Sequence, residues 1–149
     1  MPSYINKEGV YELFRQQYQQ GHLTAAQLAA VYAEDVIFRD PLHTLFGLPA
    51  VTAYFAALGQ NLNTCRFEFI DEIVTPEAAH ITWLMRFSHR SIAGGRELAV
   101  RGMTLVKIQG EHITYHEDSF DLGAMIYENL PLMGSMVKAV KRHASGGVA

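Results

Sequence analysis

VIFRDPLHTLFG, residues 36–47, is the stretch on which the fold turns. An apolar run through Val36, Ile37 and Phe38 ends at Asp40-Pro41, passes His43 and closes on Gly47. Residues before it carry helical spacing and most residues after it alternate, so it joins a helical amino-terminal part to a sheet. Asp40 and His43 are two ionisable side chains among Ile37, Phe38, Leu42, Leu45 and Phe46. Polar groups in apolar company at a junction between elements are where a pocket starts.

Toward the amino terminus, residues 7–20 place Val10, Leu13, Phe14 and Tyr18 on one helical face, with Glu12, Arg15, Gln16 and Gln19 elsewhere. Gly21 ends that helix. Thr24 followed by Gln27 matches a capping box, and Leu28, Val31 and Tyr32 form the apolar face of a second helix ending near Glu34. On the other side of the junction, Pro49 suits the first turn of a third helix, where its missing amide donor costs nothing. Val51, Tyr54, Phe55, Leu58 and Leu62 make its inward stripe.

The period then changes to two. Phe67, Phe69, Asp71 and Ile73 stand against Arg66, Glu68, Ile70 and Glu72. In AHITWLMRFSHR, Ile81, Trp83, Met85, Phe87 and His89 share the inward face, and His80, Thr82, Leu84, Arg86 and Ser88 the other. Pro76-Glu77, Ala93-Gly94-Gly95 and Gln109-Gly110 are turns, so residues 96–108 and 112–120 continue a four-stranded antiparallel meander. Strands of roughly 9 to 13 residues exceed the usual ~5 to 6 and must twist and curl to stay packed. Gly102, in mid-strand, reads as a bulge or bend.

The expected class is α+β: a cone-shaped, curved antiparallel sheet of four long strands plus short strands, packed on three amino-terminal helices, with carboxy-terminal helices after a cap at Asp121. Met133, Met136, Val137 and Val140 line one face of the last helix, opposite most of Lys138, Lys141, Arg142 and His143. That stripe has three uses open to it: covering the cavity mouth by packing on its own domain, which leads, extending a dimer contact, or lying on a membrane surface.

A chain of 149 residues makes one domain, 1–149, with a core over about 7–120 and a helical extension over about 121–144. A net charge of -3 offers no clustered basic face, which argues against nucleic acid as a partner. Cys65 is the single cysteine, so neither an intrachain disulfide nor a cysteine-based zinc site is available. His112, His116, Glu117 and Asp118 invite a metal reading, but two histidines on one strand face at that spacing lie about 13 Å apart and cannot share an ion. No metal and no cofactor are expected. MPSYINKEGVYELF lacks the apolar run of a secretory segment, and no window approaches the roughly 18 apolar residues of a membrane span. A cytoplasmic protein without stable membrane insertion is the expectation.

Three helices, an Asp-Pro before Gly47 and then long strands, best seen in YAEDVIFRDPLHTLFGLPAVTAYF (residues 32–55), resemble the nuclear-transport-factor-2-like superfamily, which includes ketosteroid isomerases and polyketide cyclases. The resemblance covers about residues 7–120 and implies a cone around a mostly apolar pocket. In ketosteroid isomerases a general-base aspartate directly precedes a proline, which implies that role for Asp40, flanked here by Phe38 and Pro41. Tyr32 matches a family tyrosine. The isomerase's oxyanion tyrosine falls on Phe14, with Tyr18 one turn on, and its supporting tyrosine falls near Phe55, beside Tyr54. Its protonated aspartic acid lands around Met103 or Thr104. Each lost donor costs on the order of 2.7 to 4 kcal/mol of transition-state stabilisation, so steroid isomerisation is not implied, and polyketide-cyclase-like and ligand-binding branches resemble the chain as well. The superfamily's use of the convex sheet face implies a homodimer through the side carrying His80, Thr82, Leu84, Arg86 and Ser88.

The expected site has Asp40 as base and His43 as its helper, with Tyr32, Phe38, Tyr54, Trp83, Met85 and Phe87 against a small apolar or aromatic molecule. The expected function is ligand binding or cofactor-independent acid/base chemistry of the isomerase, cyclase or dehydratase type. Plainer readings stand beside these. Asp-Pro starts turns by bonding nearby amides, and an aromatic stripe on a strand is ordinarily core. The rival function is a non-catalytic binding, protein-interaction or dimerisation module in which Asp40 is a turn residue.

Overall fold

In the computed structural model, which describes residues 2–20, 23–121, 123 and 133–146, α1 (Pro2–Gln20) and α2 (Ala25–Val31) lead into β1 (Tyr32–Arg39) and β2 (Thr44–Phe46). Then follow α3 (Leu48–Asn61), β3 (Leu62–Val74), β4 (Ala78–His89), β5 (Leu98–Gln109), β6 (His112–Phe120) and α4 (Met133–Ala144). The capping box forms as the spacing predicts. Gln27 N–H donates to Thr24 Oγ1 at 3.2 Å, and Thr24 N–H donates to Gln27 Oε1 at 2.8 Å.

The six strands form one sheet in the order β2-β1-β6-β5-β4-β3. β3 to β6 are the expected antiparallel meander, and β1 joins it parallel to β6 while carrying β2 on its other side. Phe14 of α1, Leu28 and Val31 of α2 and Val51 of α3 meet Val36, Ile81, Val106 and Ile113 of the sheet, all at or below 1% exposure. Each such aliphatic or aromatic side chain contributes about 1.5–3 kcal/mol relative to exposure. A second tie sits farther along α1, where Tyr11 Oη donates to Glu72 Oε1 and Arg15 Nε donates to the same oxygen at 2.8 Å.

Several local expectations are corrected. The second helix stops at Val31, three residues early, because Tyr32 is extended and pairs with Ile113 as the first residue of β1. Gly102 is no bulge. Its pairing with Trp83 and with Phe120 is regular, and its missing side chain makes room for the Trp83 indole. The real bulges are elsewhere. Phe69 pairs with Trp83 and Asp71 with Thr82, so Ile70 is extra; Ile108 pairs with Ile113 and Lys107 with Tyr115, so Thr114 is extra.

Each bulge reverses side-chain parity beyond it. Ile73 is thereby 67% exposed while Glu72 turns to α1, and His116 is fully buried while His112 is exposed. Ser88, expected on the outer face, is buried, its hydroxyl donating to Gly95 O. Met136 and Val140 of α4 are each 68% exposed, which overturns packing on the domain for these two side chains. The short helix expected after Asp121 lies outside the described residues, save Gly123. Among the described residues, no helix is long and apolar enough to cross a membrane.

Candidate functional site

The site is built first by the turn between β1 and β2. Asp40 N–H donates to His43 O at 3.0 Å, closing the turn, and Asp40 Oδ1 accepts the amides of Leu42 at 2.8 Å and His43 at 2.7 Å. This is the Asx geometry that an Asp-Pro sequence favours. Asp40 Oδ2 accepts the Tyr54 hydroxyl of α3 at 2.9 Å. The Asp40 side chain is only 4% exposed, whereas His43 is on the surface, its Nδ1 3.3 Å from Asp40 Oδ1 and its ring 4.8 Å from that of Tyr54.

Behind the turn, between α1, α3 and the inward faces of β1, β3, β4 and β6, lies a cavity of about 120 Å³. Phe38, Phe55, Phe67, Met85, Phe87 and Phe120 supply much of its apolar wall, with Trp83 at its back. Its charged groups among the described residues are Asp40 and Asp118. Tyr18 and Tyr54 add hydroxyl groups to its lining and Cys65 a thiol.

Asp118 is held by donors from two strands. Thr104, its cross-strand partner, donates to Oδ1 at 2.5 Å and itself accepts Trp83 Nε1–H at 2.7 Å. His116 Nε2 lies 2.7 Å from the same Oδ1. Asp118 Oδ2 has no hydrogen-bond partner among the described residues. His116 Nδ1 is 2.8 Å from Tyr32 Oη, which is 2.6 Å from Tyr18 Oη. Both imidazole nitrogens are thus satisfied inside a ring cage that includes Phe14 and Phe38.

Burial holds the Tyr18 and Tyr32 hydroxyls well above the ordinary tyrosine range, with the nearby Asp118 adding to the effect on both. Tyr54 is raised by burial first, then by the Asp40 charge and its hydrogen bond to Asp40. These phenols are therefore protonated at neutral pH. Burial also pushes the Cys65 thiol up to about 11.

Of the residues expected at a site, Phe38, Asp40, Tyr54, Trp83, Met85 and Phe87 border this one cavity. Tyr32 and His43 do not: Tyr32 is 1% exposed behind the wall, and His43 lies outside on the turn. Asp118, Tyr18 and Thr104 are the additions. A carboxyl does stand in this part of the sheet, on Asp118 of the next strand, directly opposite Thr104. Strict alternation from His112 hides this, because the Thr114 bulge alone turns His116, Asp118 and Phe120 inward. The threonine facing an acid-rich run was the one available signal.

The profile of the SnoaL-like domain family matches residues 10–116. No functionally curated protein matches the chain. Solved structures do. A protein with a ketosteroid isomerase-like fold from Catenulispora acidiphila, solved in complex with trimethylamine, is 16% identical, with a TM-score of 0.68 over 79% of this chain and 91% of that one. A protein provisionally assigned as a SnoaL-like polyketide cyclase, from a Jannaschia species, is 12% identical, with a TM-score of 0.70 over 84% and 92%. An NTF2-like protein of unknown function from Burkholderia pseudomallei is 18% identical, with a TM-score of 0.65 over 84% and 95%. At these identities the likeness establishes the shared cone fold.

Proposed function

Because this chain belongs to the SnoaL-like domain family, we propose that its cavity binds a small apolar or aromatic organic molecule and carries out cofactor-independent acid/base chemistry on it, of the isomerisation, cyclisation or dehydration type. The observation that carries this reading is Asp118: in an otherwise apolar cavity its Oδ1 is fixed by Thr104 and His116, while Oδ2 has no partner among the described residues. A fixed carboxylate with one open oxygen is the geometry of a general base. Asp40 has both oxygens engaged by the turn and by Tyr54, so its part is to hold Tyr54 in place, with His43 against it from outside.

The cavity of about 120 Å³ limits the ligand to one small ring at most, since an apolar cavity that admits benzene measures roughly 150 Å³. A second reading of the ligand has its own support. Aromatic rings around two carboxylates suit a small alkylammonium ion, and the Catenulispora relative was solved with trimethylamine. We also propose a homodimer through the outer sheet face, where Met103 is 48% exposed opposite Thr82.

Trp83, the single tryptophan, borders the cavity and reports binding by its fluorescence. Cyclohexanone, phenol and trimethylamine are the probes. With cyclohexanone in deuterium oxide, exchange of the protons next to the carbonyl is expected with the native protein and lost with Asp118→Asn, at little change in affinity. Binding without exchange in the native protein would make this a binder rather than an enzyme. Quenching by trimethylamine alone would favour the ammonium reading.

A further inference from the structure

Tyr18 and Asp118 both border the cavity, and a line of hydrogen bonds runs between them behind its wall. The line passes Tyr18 Oη to Tyr32 Oη at 2.6 Å, Tyr32 Oη to His116 Nδ1 at 2.8 Å, and His116 Nε2 to Asp118 Oδ1 at 2.7 Å. Tyr32 and His116, its two interior members, are 1% and 0% exposed and do not border the cavity. The titratable groups facing this line are Tyr18 from α1, Tyr32 from β1, Tyr54 from α3 with Asp40 behind it, and Asp118 itself. Phe14 and Phe38 cover the imidazole at ring distances of 5.9 and 4.6 Å.

Such a line has only two self-consistent polarities. With His116 neutral and its proton on Nε2, that N–H donates to Asp118, Nδ1 accepts from Tyr32 O–H, and the Tyr32 oxygen accepts from Tyr18 O–H. Tyr18 then offers the cavity lone pairs alone. With a second proton on Nδ1, the imidazolium donates to Tyr32, Tyr32 O–H donates to Tyr18, and the Tyr18 hydrogen is left to the cavity. Any mixed arrangement sets two hydrogens or two lone pairs against each other among buried groups, where an unmade bond is costly.

We propose that this line is a polarity switch in which His116 is a positioning residue, its protonation deciding whether Tyr18 is donor or acceptor toward a bound molecule while Asp118 Oδ2 takes the opposite part. This deepens the acid/base reading above and rests on it. One added proton has two addresses. On His116 Nδ1 it makes Tyr18 the acid and Asp118 Oδ2 the base; on Asp118 Oδ2 it makes that carboxyl the acid and the Tyr18 oxygen the base.

The chemistry this fits is tautomerisation of a small carbonyl compound. The bond from the substrate's α-carbon to hydrogen breaks, and its proton goes to Asp118 Oδ2. The electron pair forms the new C=C, and the carbonyl oxygen takes the Tyr18 proton. Tyr18 recovers a proton from Tyr32, and Tyr32 one from His116 Nδ1. The substrate has lost one proton and gained one, nothing is oxidised or reduced, and after the enol leaves, the first state returns when Asp118 Oδ2 gives its proton to solvent and His116 Nδ1 takes one up.

The test is an NMR pH titration of the free protein, following the His116 imidazole nitrogens and the Tyr18 Cζ shift. As pH falls and Nδ1 gains its proton, Tyr18 is expected to shift with the same midpoint. In Tyr32→Phe the Tyr18 response should vanish while His116, still bonded to Asp118, continues to titrate. His116→Gln, whose amide cannot gain the proton, should leave Tyr18 flat and serves if Tyr32→Phe does not fold. A Tyr18 shift indifferent to His116, or a His116 that stays neutral until the protein unfolds, overturns the switch. Para-nitrophenolate then separates the two readings: its binding should draw about one proton into the native protein and none into Tyr32→Phe. If it fails to bind, the ligand reading suffers, while the titration still decides the switch.

Discussion

The six-membered ring of Trp83 lies over Gly102, its partner on the neighbouring strand, in the space that a β-carbon would occupy. The indole can therefore lie flat against β5 and donate to Thr104, which in turn holds Asp118. Gly102→Ala should push the ring off this seat and cost about 1–3 kcal/mol, the range for overpacking a dense core. Denaturant unfolding gives the loss, and the fluorescence of the single tryptophan reports the displacement. A native spectrum together with native stability would refute the packing argument.

Asp40 and Asp118 should separate in their effects. Asp40→Ala strands the amides of Leu42 and His43 and the Tyr54 hydroxyl, and is expected to lower stability by about 1–3 kcal/mol. Asp118→Asn should keep the fold and remove proton exchange. Equal unfolding midpoints for native protein and Asp40→Ala would show that the turn does not depend on the carboxylate.

Alkaline pH should unfold the protein through its tyrosines. Tyr11, Tyr18, Tyr32 and Tyr54 all sit above the ordinary value of 10.0, with burial the leading cause for each. Below pH 10 they hold their protons in both folded and unfolded chains, so their contribution is fully present there. Above it the unfolded chain releases protons that the fold retains, and stability falls as pH rises. Tyrosinate absorbance should show these four appearing together with unfolding; a smooth titration of all seven tyrosines in the folded protein would contradict it.

Cys65 offers a chemical report on the cavity it borders. With its thiol pushed up to about 11, little thiolate exists at neutral pH, and alkylation should be slow, quickening as pH approaches that value. A molecule seated in the cavity should slow it further. Rapid, ligand-insensitive alkylation at neutral pH would place the thiol outside the site.

The helices were legible because their spacing, caps and breakers are local. Thr24 with Gln27, Pro49 near the start of α3 and the apolar residues of α1 each act within one or two turns. The meander was legible for the same reason, as the turns at 76–77, 93–95 and 109–110 punctuate long alternating runs. Asp40 was legible as a turn residue with an apolar setting, and Trp83, Met85 and Phe87 as one inward face.

What alternation does not carry is the count of residues on the opposite strand. Ile70 and Thr114 are extra only relative to β4 and β5, so no window containing them shows the reversal they impose. That is why Glu72 was set on the face opposite Phe67 and Phe69, and why His112 and His116 were given the same strand face. VIFRDPLHTLFG by itself determined the junction and the turn, since both follow from chemistry within a few bonds of chain, whereas the cavity beside Asp40 is walled by α3, β3, β4 and β6. Which carboxylate keeps an open oxygen was decided only in three dimensions. It depends on a bulge that turns Asp118 inward, a threonine across the ladder, and a histidine whose other nitrogen is tied through Tyr32 to a helix 98 residues earlier in the case of Tyr18 and His116.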